Sequence, residues 1–199
     1  MNNQIKEHGN VSLPSKFGNF QLSAYSVSPD DPMPHLALIS NFVDRDQAVN
    51  VRIHSECITG DLFGSLRCEC GDQLATALEY IKQHSGIVIY LRQEGRGIGI
   101  INKMKAYVEQ DKGYDTAQAN QRLGFDKDGR NYDVAIQILH HLGIDRINLL
   151  TNNPDKLSAF DGSDIAVVER IPIEIRPNDI NASYLRTKRD VFGHLLEAI

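Results

Sequence analysis

Cys57, Cys68 and Cys70 are the only cysteines of the 199-residue chain, with ten residues between the first two and one between the last two. Thiolates are soft ligands that suit Zn²⁺, and three protein ligands leave the fourth tetrahedral position for water. That is the make-up of a catalytic zinc site, since a closed structural site normally carries four protein ligands. Redox chemistry of an odd cysteine competes with it, as does a plain core of three unrelated cysteines, because free cysteine is among the most buried residue types. The neighbours oppose the core reading: Arg52, His54, Glu56, Asp61, Arg67, Glu69 and Asp72 make a poor apolar core. His54, three residues before Cys57, is within reach as a fourth ligand, which would close the site.

Three further segments have the right composition for an anionic ligand. Arg52-Ile53-His54-Ser55-Glu56 leads straight into Cys57 and brings arginine, serine and carboxylate beside the metal; a solvated strand end has the same composition. Arg92-Gln93-Glu94-Gly95-Arg96-Gly97-Ile98-Gly99 is a glycine-rich turn between an apolar run and a helical pattern. Such turns let backbone amides and a helix N-terminus meet an anion. It lacks the Gly-Lys-Ser/Thr of a Walker loop and the dinucleotide spacing, and a strand-to-helix turn uses glycine for geometric reasons alone. Thr151-Asn152-Asn153-Pro154-Asp155-Lys156 is a second such junction, readable as an anion site or as a plain helix cap. By composition, Asp128 and Arg130 belong to a solvated turn with Asp126 and Lys127, and Tyr107 to the boundary face of a helix.

The elements that must position these groups follow from periodicity. Residues 20–27 partly alternate, 35–39 form a short apolar run, and 48–54 alternate with Val49, Val51 and Ile53 on one face, so the N-terminal third reads as strands. Leu74, Ala77, Leu78 and Ile81 give residues 72–84 a helical period that Gly86 ends. Residues 87–91 form a buried strand, 100–110 a helix, 111–130 a polar loop, 132–142 a helix stopped by Gly143, and 146–150 a strand. Pro154 suits the first position of the next helix; 166–171 read as a strand and 184–198 as a final amphipathic helix. The expected fold is α+β or mixed α/β, a single domain over residues 1–199 with a β-rich start and alternating helices and strands after it.

Hydrophobic residues make up 41% of the chain and charged residues 24%, an ordinary globular composition. A net charge of −5 without a basic stripe disfavours DNA or RNA but leaves nucleotides open. No apolar run is long enough to span a bilayer and none has a signal-peptide pattern, which points away from membranes and towards the cytoplasm, where thiols stay reduced.

Taken in order, these motifs closely resemble GTP cyclohydrolase II. The resemblance is carried by Arg52-Ile53-His54-Ser55-Glu56-Cys57 with Thr59-Gly60-Asp61, by Ser65-Leu66-Arg67-Cys68-Glu69-Cys70-Gly71, and by Gln93-Glu94-Gly95-Arg96. Gly113-Tyr114-Asp115-Thr116, Ala119-Asn120, Leu123-Gly124-Phe125, Thr151-Asn152-Asn153-Pro154 to Lys156, and Tyr184-Leu185 with Thr187-Lys188 complete it. It implies zinc on Cys57, Cys68 and Cys70. It implies GTP contacts from Arg52, Ile53, His54, Ser55, Glu56, Gln73, Glu94, Gly95, Arg96, Thr116, Thr151 and Lys156. Asp128 is implied in proton transfer, Arg130 as a nucleophile and Tyr107 in support. The implied reaction is zinc-dependent hydrolysis of GTP to 2,5-diamino-6-(5-phospho-D-ribosylamino)pyrimidin-4(3H)-one with release of formate and pyrophosphate, the first committed step of riboflavin biosynthesis. Mg²⁺ with the triphosphate, a homodimer, and the stand-alone form without a fused dihydroxybutanone-phosphate synthase domain are also implied. Two points stay open on chemical grounds. Glu94 and Glu56 are both suited to reading guanine. A guanidinium with a pKa above about 12 is a poor nucleophile, so Arg130 also fits a purely electrostatic role.

Overall fold

The computed structural model describes residues 4–197. Strands β1 (Lys6–Ser15), β2 (Gly18–Ser26) and β3 (His35–Ser40) run antiparallel, and β3 continues antiparallel onto β5 (Ile87–Leu91). β4 (Val49–Ser55) lies parallel between β5 and β6 (Arg146–Leu150), and β7 (Ala166–Ile171) adds parallel to β6. The result is one seven-stranded mixed sheet in the order β1-β2-β3-β5-β4-β6-β7. Parallel strands are covered on both faces and so read as continuous apolar runs, which is the character of Ile87-Val88-Ile89 at 0–1% exposure.

The connections carry the helices. α1 (Ile58–Asp61) and α2 (Cys70–His84) lie between β4 and β5. A 3-10 turn (Glu94–Gly97), α3 (Gly99–Asp111), α4 (Thr116–Arg122) and α5 (Asp133–His141) lie between β5 and β6. α6 (Pro154–Ser158) precedes β7, and α7 (Ala182–Asp190) follows it. Val51 and Ile53 of β4 join Ile89, Ile147 and Leu149 under Ile138 and Leu139 of α5, while Val88 and Leu150 meet Ala77, Leu78 and Ile81 of α2 on the other side. Each fully buried valine, leucine or isoleucine among them contributes about 1.5–3 kcal/mol. β4 thus turns Val51 and Ile53 into one core and directs Arg52 and His54 to the opposite face, because alternate side chains of a strand point to opposite faces.

The mixed class and its β-rich start are as the sequence predicts. Two local expectations are corrected, and one strand was not anticipated. β1 pairs along an exposed edge with almost no buried side chain, so it carries no alternation to read. The polar loop at 111–130 contains α4, which starts from a reciprocal capping box: Gln118 N–H donates to Asp115 Oδ1 at 2.8 Å and Asp115 N–H to Gln118 Oε1 at 3.1 Å. The last helix ends at Asp190, because Gly193 takes φ 64° and His194 N–H folds back to Lys188 O at 3.0 Å. Ala198, the end expected for that helix, lies outside the described residues. Among the described residues no helix is long and apolar enough to cross a membrane.

Candidate active site at the carboxyl ends of three parallel strands

β5, β4 and β6 are adjacent and parallel, so the loops that follow them emerge side by side, where ligands of open α/β sheets bind. The loop after β4 carries Glu56 and Cys57, that after β5 carries Gln93, Glu94 and Arg96, and that after β6 carries Thr151, Asn152 and Asn153. Together they surround a cleft of about 1010 Å³, its open mouth included. All the sequence-predicted site residues line it except Ile53 and Asp128. The Ile53 side chain belongs to the core, and its carbonyl accepts from Lys156 Nζ at 2.7 Å.

The cysteines meet because two loops touch without side chains between them. Cys57 precedes α1, and Cys70 opens α2. A Cβ on Gly71 would stand 2.3 Å from Gly60 O, and one on Gly60 would stand 3.1 Å from Cys68 Sγ. Cys57 and Cys68 Sγ are 3.6 Å apart, and all three sulfurs lie within 4.8 Å of one another. Two sulfurs at about 2.3 Å from a tetrahedral ion stand about 3.8 Å apart, so the triad fits zinc. Hydrogen bonds from Cys68 and Cys70, aided by Lys103, push the Cys57 thiol far down; the bond to Cys57, with burial, holds Cys68 up at about 11, and the bonds to Cys57 and Cys68 hold Cys70 well above its ordinary value. Three thiols this close oppose one another's ionisation, and a divalent cation held among them would let all three ionise.

His54 is not a fourth ligand in this arrangement. Its Nε2 is 3.0 Å from Asp61 Oδ1, and Asp61 also accepts from Cys57 N–H at 3.0 Å and Tyr90 Oη at 2.8 Å. Burial lowers the His54 pKa, so the ring is a neutral brace of the cysteine loop. Lys103 Nζ, which sequence reasoning missed, bridges Cys57 Sγ at 3.1 Å and Glu94 Oε1 at 2.8 Å. Burial works against its charge, but Cys57 and Glu94 outweigh it and raise the ammonium's pKa. Glu94 also accepts from Ile58 N–H at 2.6 Å and Gly95 N–H at 2.7 Å, so three donors occupy it. Glu56 gives one oxygen to Arg92 Nη1 at 2.6 Å. Tyr107 reaches the cluster through Thr59, with Oη 3.2 Å from Thr59 Oγ1 and that oxygen 3.6 Å from Cys57 Sγ.

The opposite wall is cationic. Arg52 donates to Leu150 O at 3.0 Å and Gln73 Oε1 at 2.9 Å, and burial brings its pKa down to about 10. Burial, then Arg52, Arg130 and Lys188, lowers Lys156 well below an ordinary lysine. Arg130 is bound through Nε and a terminal nitrogen to Asp128, with Nε to Oδ1 at 2.9 Å. Burial opposes both charges; their pairing outweighs it, keeping Asp128 low and Arg130 high. Arg96 adopts φ 62°, a strained value for a non-glycine residue, and its carbonyl accepts from Gly129 N–H at 3.1 Å. The Glu94–Gly97 turn thereby grips the Asp128 loop, and Gln93 ties it again, donating to Ser55 Oγ at 2.9 Å and accepting from Asn131 N–H at 3.2 Å. Thr116 enters the cleft as the first residue of α4, and Thr151 Oγ1 accepts from Asn153 N–H at 3.0 Å while Asn153 caps α6.

This is a mixed α/β protein that sets three cysteines able to hold a metal ion against a wall of arginine and lysine, a pairing of chemistry suited to an anionic ligand. Comparison with known proteins narrows this. The family model for GTP cyclohydrolase II matches residues 6–172, and the chain belongs to that family. It is 50% identical to GTP cyclohydrolase-2 of Campylobacter fetus subsp. fetus, over 94% of each chain. It is also 50% identical to riboflavin biosynthesis protein RibBA of Chlorobium phaeovibrioides, over 93% of this chain and 45% of that one. The chain thus spans about half the length of the RibBA relatives it matches. A crystal structure of RibBX, a two-domain 3,4-dihydroxy-2-butanone 4-phosphate synthase from A. baumannii, shares the fold at TM-score 0.50 and 18% identity, covering 86% of this chain and 41% of that one.

Proposed function

We propose that this single domain over residues 1–199 hydrolyses GTP to 2,5-diamino-6-(5-phospho-D-ribosylamino)pyrimidin-4(3H)-one, formate and pyrophosphate, as a zinc- and Mg²⁺-dependent, cytoplasmic, homodimeric enzyme of riboflavin biosynthesis. The observation that carries this reading is the cysteine triad facing a cation-lined cleft, in a chain with half its residues identical to a GTP cyclohydrolase-2.

Cys57, Cys68 and Cys70 would hold the zinc, which would supply Lewis acidity that lowers the pKa of water from about 15.7 towards 7. Arg52, Arg96, Arg130 and Lys156 neutralise the triphosphate, and Mg²⁺ would supply further positive charge there. His54 holds Asp61 and so the Cys57 loop, while Ile53 acts through the carbonyl that fixes Lys156. Ser55, Gln73, Gly95, Thr116 and Thr151 supply hydrogen bonds around the nucleotide. With Glu94 committed to three donors, Glu56 has the freer oxygen for the ring NH and amino group of guanine.

The Tyr107 hydroxyl is placed to orient water or the opening ring beside the cysteines. Arg130, protonated and locked to Asp128, stabilises charge on the transferring phosphate and does not form a covalent bond to it. Asp128 orients Arg130. A phosphoramidate on Arg130 found by mass spectrometry of acid-free quenched turnover would overturn that role. The reading as a whole is tested by incubating the zinc-loaded protein with GTP and Mg²⁺ and following both leaving groups. Formate and pyrophosphate in equal amounts are expected. Pyrophosphate alone would mean phosphate chemistry without ring opening, and neither would leave a nucleotide-binding protein.

A further inference from the structure

The family match ends at residue 172, yet the cleft is also walled by Tyr184 and Lys188 of α7 and by His194 beyond it. The segment is fastened to the site at several points. Lys188 Nζ donates to Glu69 Oε1 at 2.5 Å, in the turn between Cys68 and Cys70. Leu195 N–H donates to Asn152 O at 2.8 Å, at the junction after β6. The Arg96 guanidinium lies 4.2 Å from the Phe192 ring centre.

We propose that Lys188 is a further phosphate-binding residue, carried by a C-terminal segment (182–197) that forms one wall of the substrate cleft. This rests on the reading that the cleft takes a polyphosphate nucleotide. Five basic side chains, Arg52, Arg96, Arg130, Lys156 and Lys188, line this one cleft; burial and then Arg52, Arg130 and Lys188 push Lys156 down, as burial and the neighbouring cations do His194. Asp128 balances Arg130 and Glu69 balances Lys188, whereas Arg52 and Lys156 donate to neutral oxygens. The surplus positive charge is matched by a polyanion. Lys188, like Lys156, is able to move onto it, because a lysine stem is flexible and its ammonium is a point charge with rotatable donors. Glu69 keeps a partner when Lys188 leaves, since Gln73 Nε2 also donates to Glu69 Oε1 at 3.3 Å. Helix α7 is then part of the binding site, and the tail that carries Phe192 steadies Arg96 on the same side.

The test is calorimetric titration of the zinc-loaded full chain with tripolyphosphate, GTP and guanosine, for wild type, Lys188→Met and Lys188→Arg, with zinc content and melting temperature measured for each. Lys188→Met is expected to bind tripolyphosphate and GTP roughly tenfold more weakly or worse, the loss typical of a charged hydrogen bond. Guanosine affinity should stay unchanged, and Lys188→Arg should restore most of the loss. Unchanged tripolyphosphate affinity, or an equal loss for guanosine, would overturn the proposal and leave Lys188 a structural tie. Should Lys188→Met not fold, amide exchange of the wild type decides: tripolyphosphate should protect residues 182–190, and unaltered exchange would contradict it. A wild type that binds neither GTP nor tripolyphosphate removes the polyphosphate reading of the cleft itself. A wild type that turns over GTP beside an unaffected Lys188→Met removes this inference alone.

Discussion

Replacing Gly71 by alanine attacks the point where the two halves of the cysteine cluster touch. The new Cβ would stand 2.3 Å from Gly60 O, about 1 Å short of the 3.4 Å at which ordinary contact begins. The obstacle is backbone, so no rotamer change relieves it. Both sides are braced, with Asp61 N–H on Cys57 O at 2.7 Å and Gln73 N–H on Glu69 O at 2.9 Å. Relief must therefore move α1 away from the start of α2, which separates Cys57 from Cys70. Overpacking of this kind costs about 1–3 kcal/mol, and the better helix propensity of alanine offsets up to about 1 kcal/mol of it. At about 2–4 °C per kcal/mol for a chain of this length, the melting temperature drops by several degrees. The metal site suffers more, because metal–ligand distances hold only within about 0.2 Å. Chelator competition for zinc and a thermal melt of the metal-free protein measure the two effects separately. Gly9→Ala, where a Cβ meets nothing within 4 Å, is the control and should change neither. Gly71→Ala with wild-type zinc affinity would refute the claim that this contact sets the sulfur geometry.

Three other outcomes follow from the site. Arg130 outweighs burial and holds the Asp128 carboxyl below its ordinary 3.8, so this pairing stabilises the fold above about pH 4 and is lost as the pH falls through the depressed value. Wild-type melting temperature should accordingly fall more steeply than that of Asp128→Asn between pH 5 and 3, and parallel curves would contradict the pairing. Lys103→Met leaves Glu94 and Cys57 without their buried cation, and urea unfolding of the metal-free protein should show a loss of about 3–5 kcal/mol; a loss under about 1 kcal/mol would deny Lys103 that part. Phe192→Ala removes the ring over Arg96, a contact worth about 0.5–2 kcal/mol. Steady-state kinetics should show the KM for GTP raised about 2- to 30-fold with zinc content intact, whereas an unchanged KM would mean that Arg96 needs no such support.

What could be read from the sequence was what depends on local spacing. The cysteine triad, the run from Arg52 to Glu56 and the Thr151–Lys156 junction all fall beside the ends of parallel strands, because β-branched runs such as Ile87-Val88-Ile89 declare those strands directly. Asp115 and Gln118 did carry a capping-box signal for α4, masked by the surrounding polar residues. β1 had no signal to give, since nearly every side chain on it faces solvent. Lys103 was hidden for a different reason: its partners Cys57 and Glu94 come from two other loops, and only the fold brings 46 residues of separation down to a 3.1 Å contact. The closure of Lys188 onto Glu69 across 119 residues is of the same kind. Pairings of this sort follow from topology and leave no periodic trace.

The most direct test of the account is a titration of metal-free protein with zinc in the presence of GTP and Mg²⁺, with formate release as the readout and Cys68→Ser alongside. Formate production should rise linearly to one zinc per chain and then level off, while Cys68→Ser stays flat. Formate released without zinc, or by Cys68→Ser at the wild-type rate, would contradict the claim that the three cysteines carry the ring-opening chemistry.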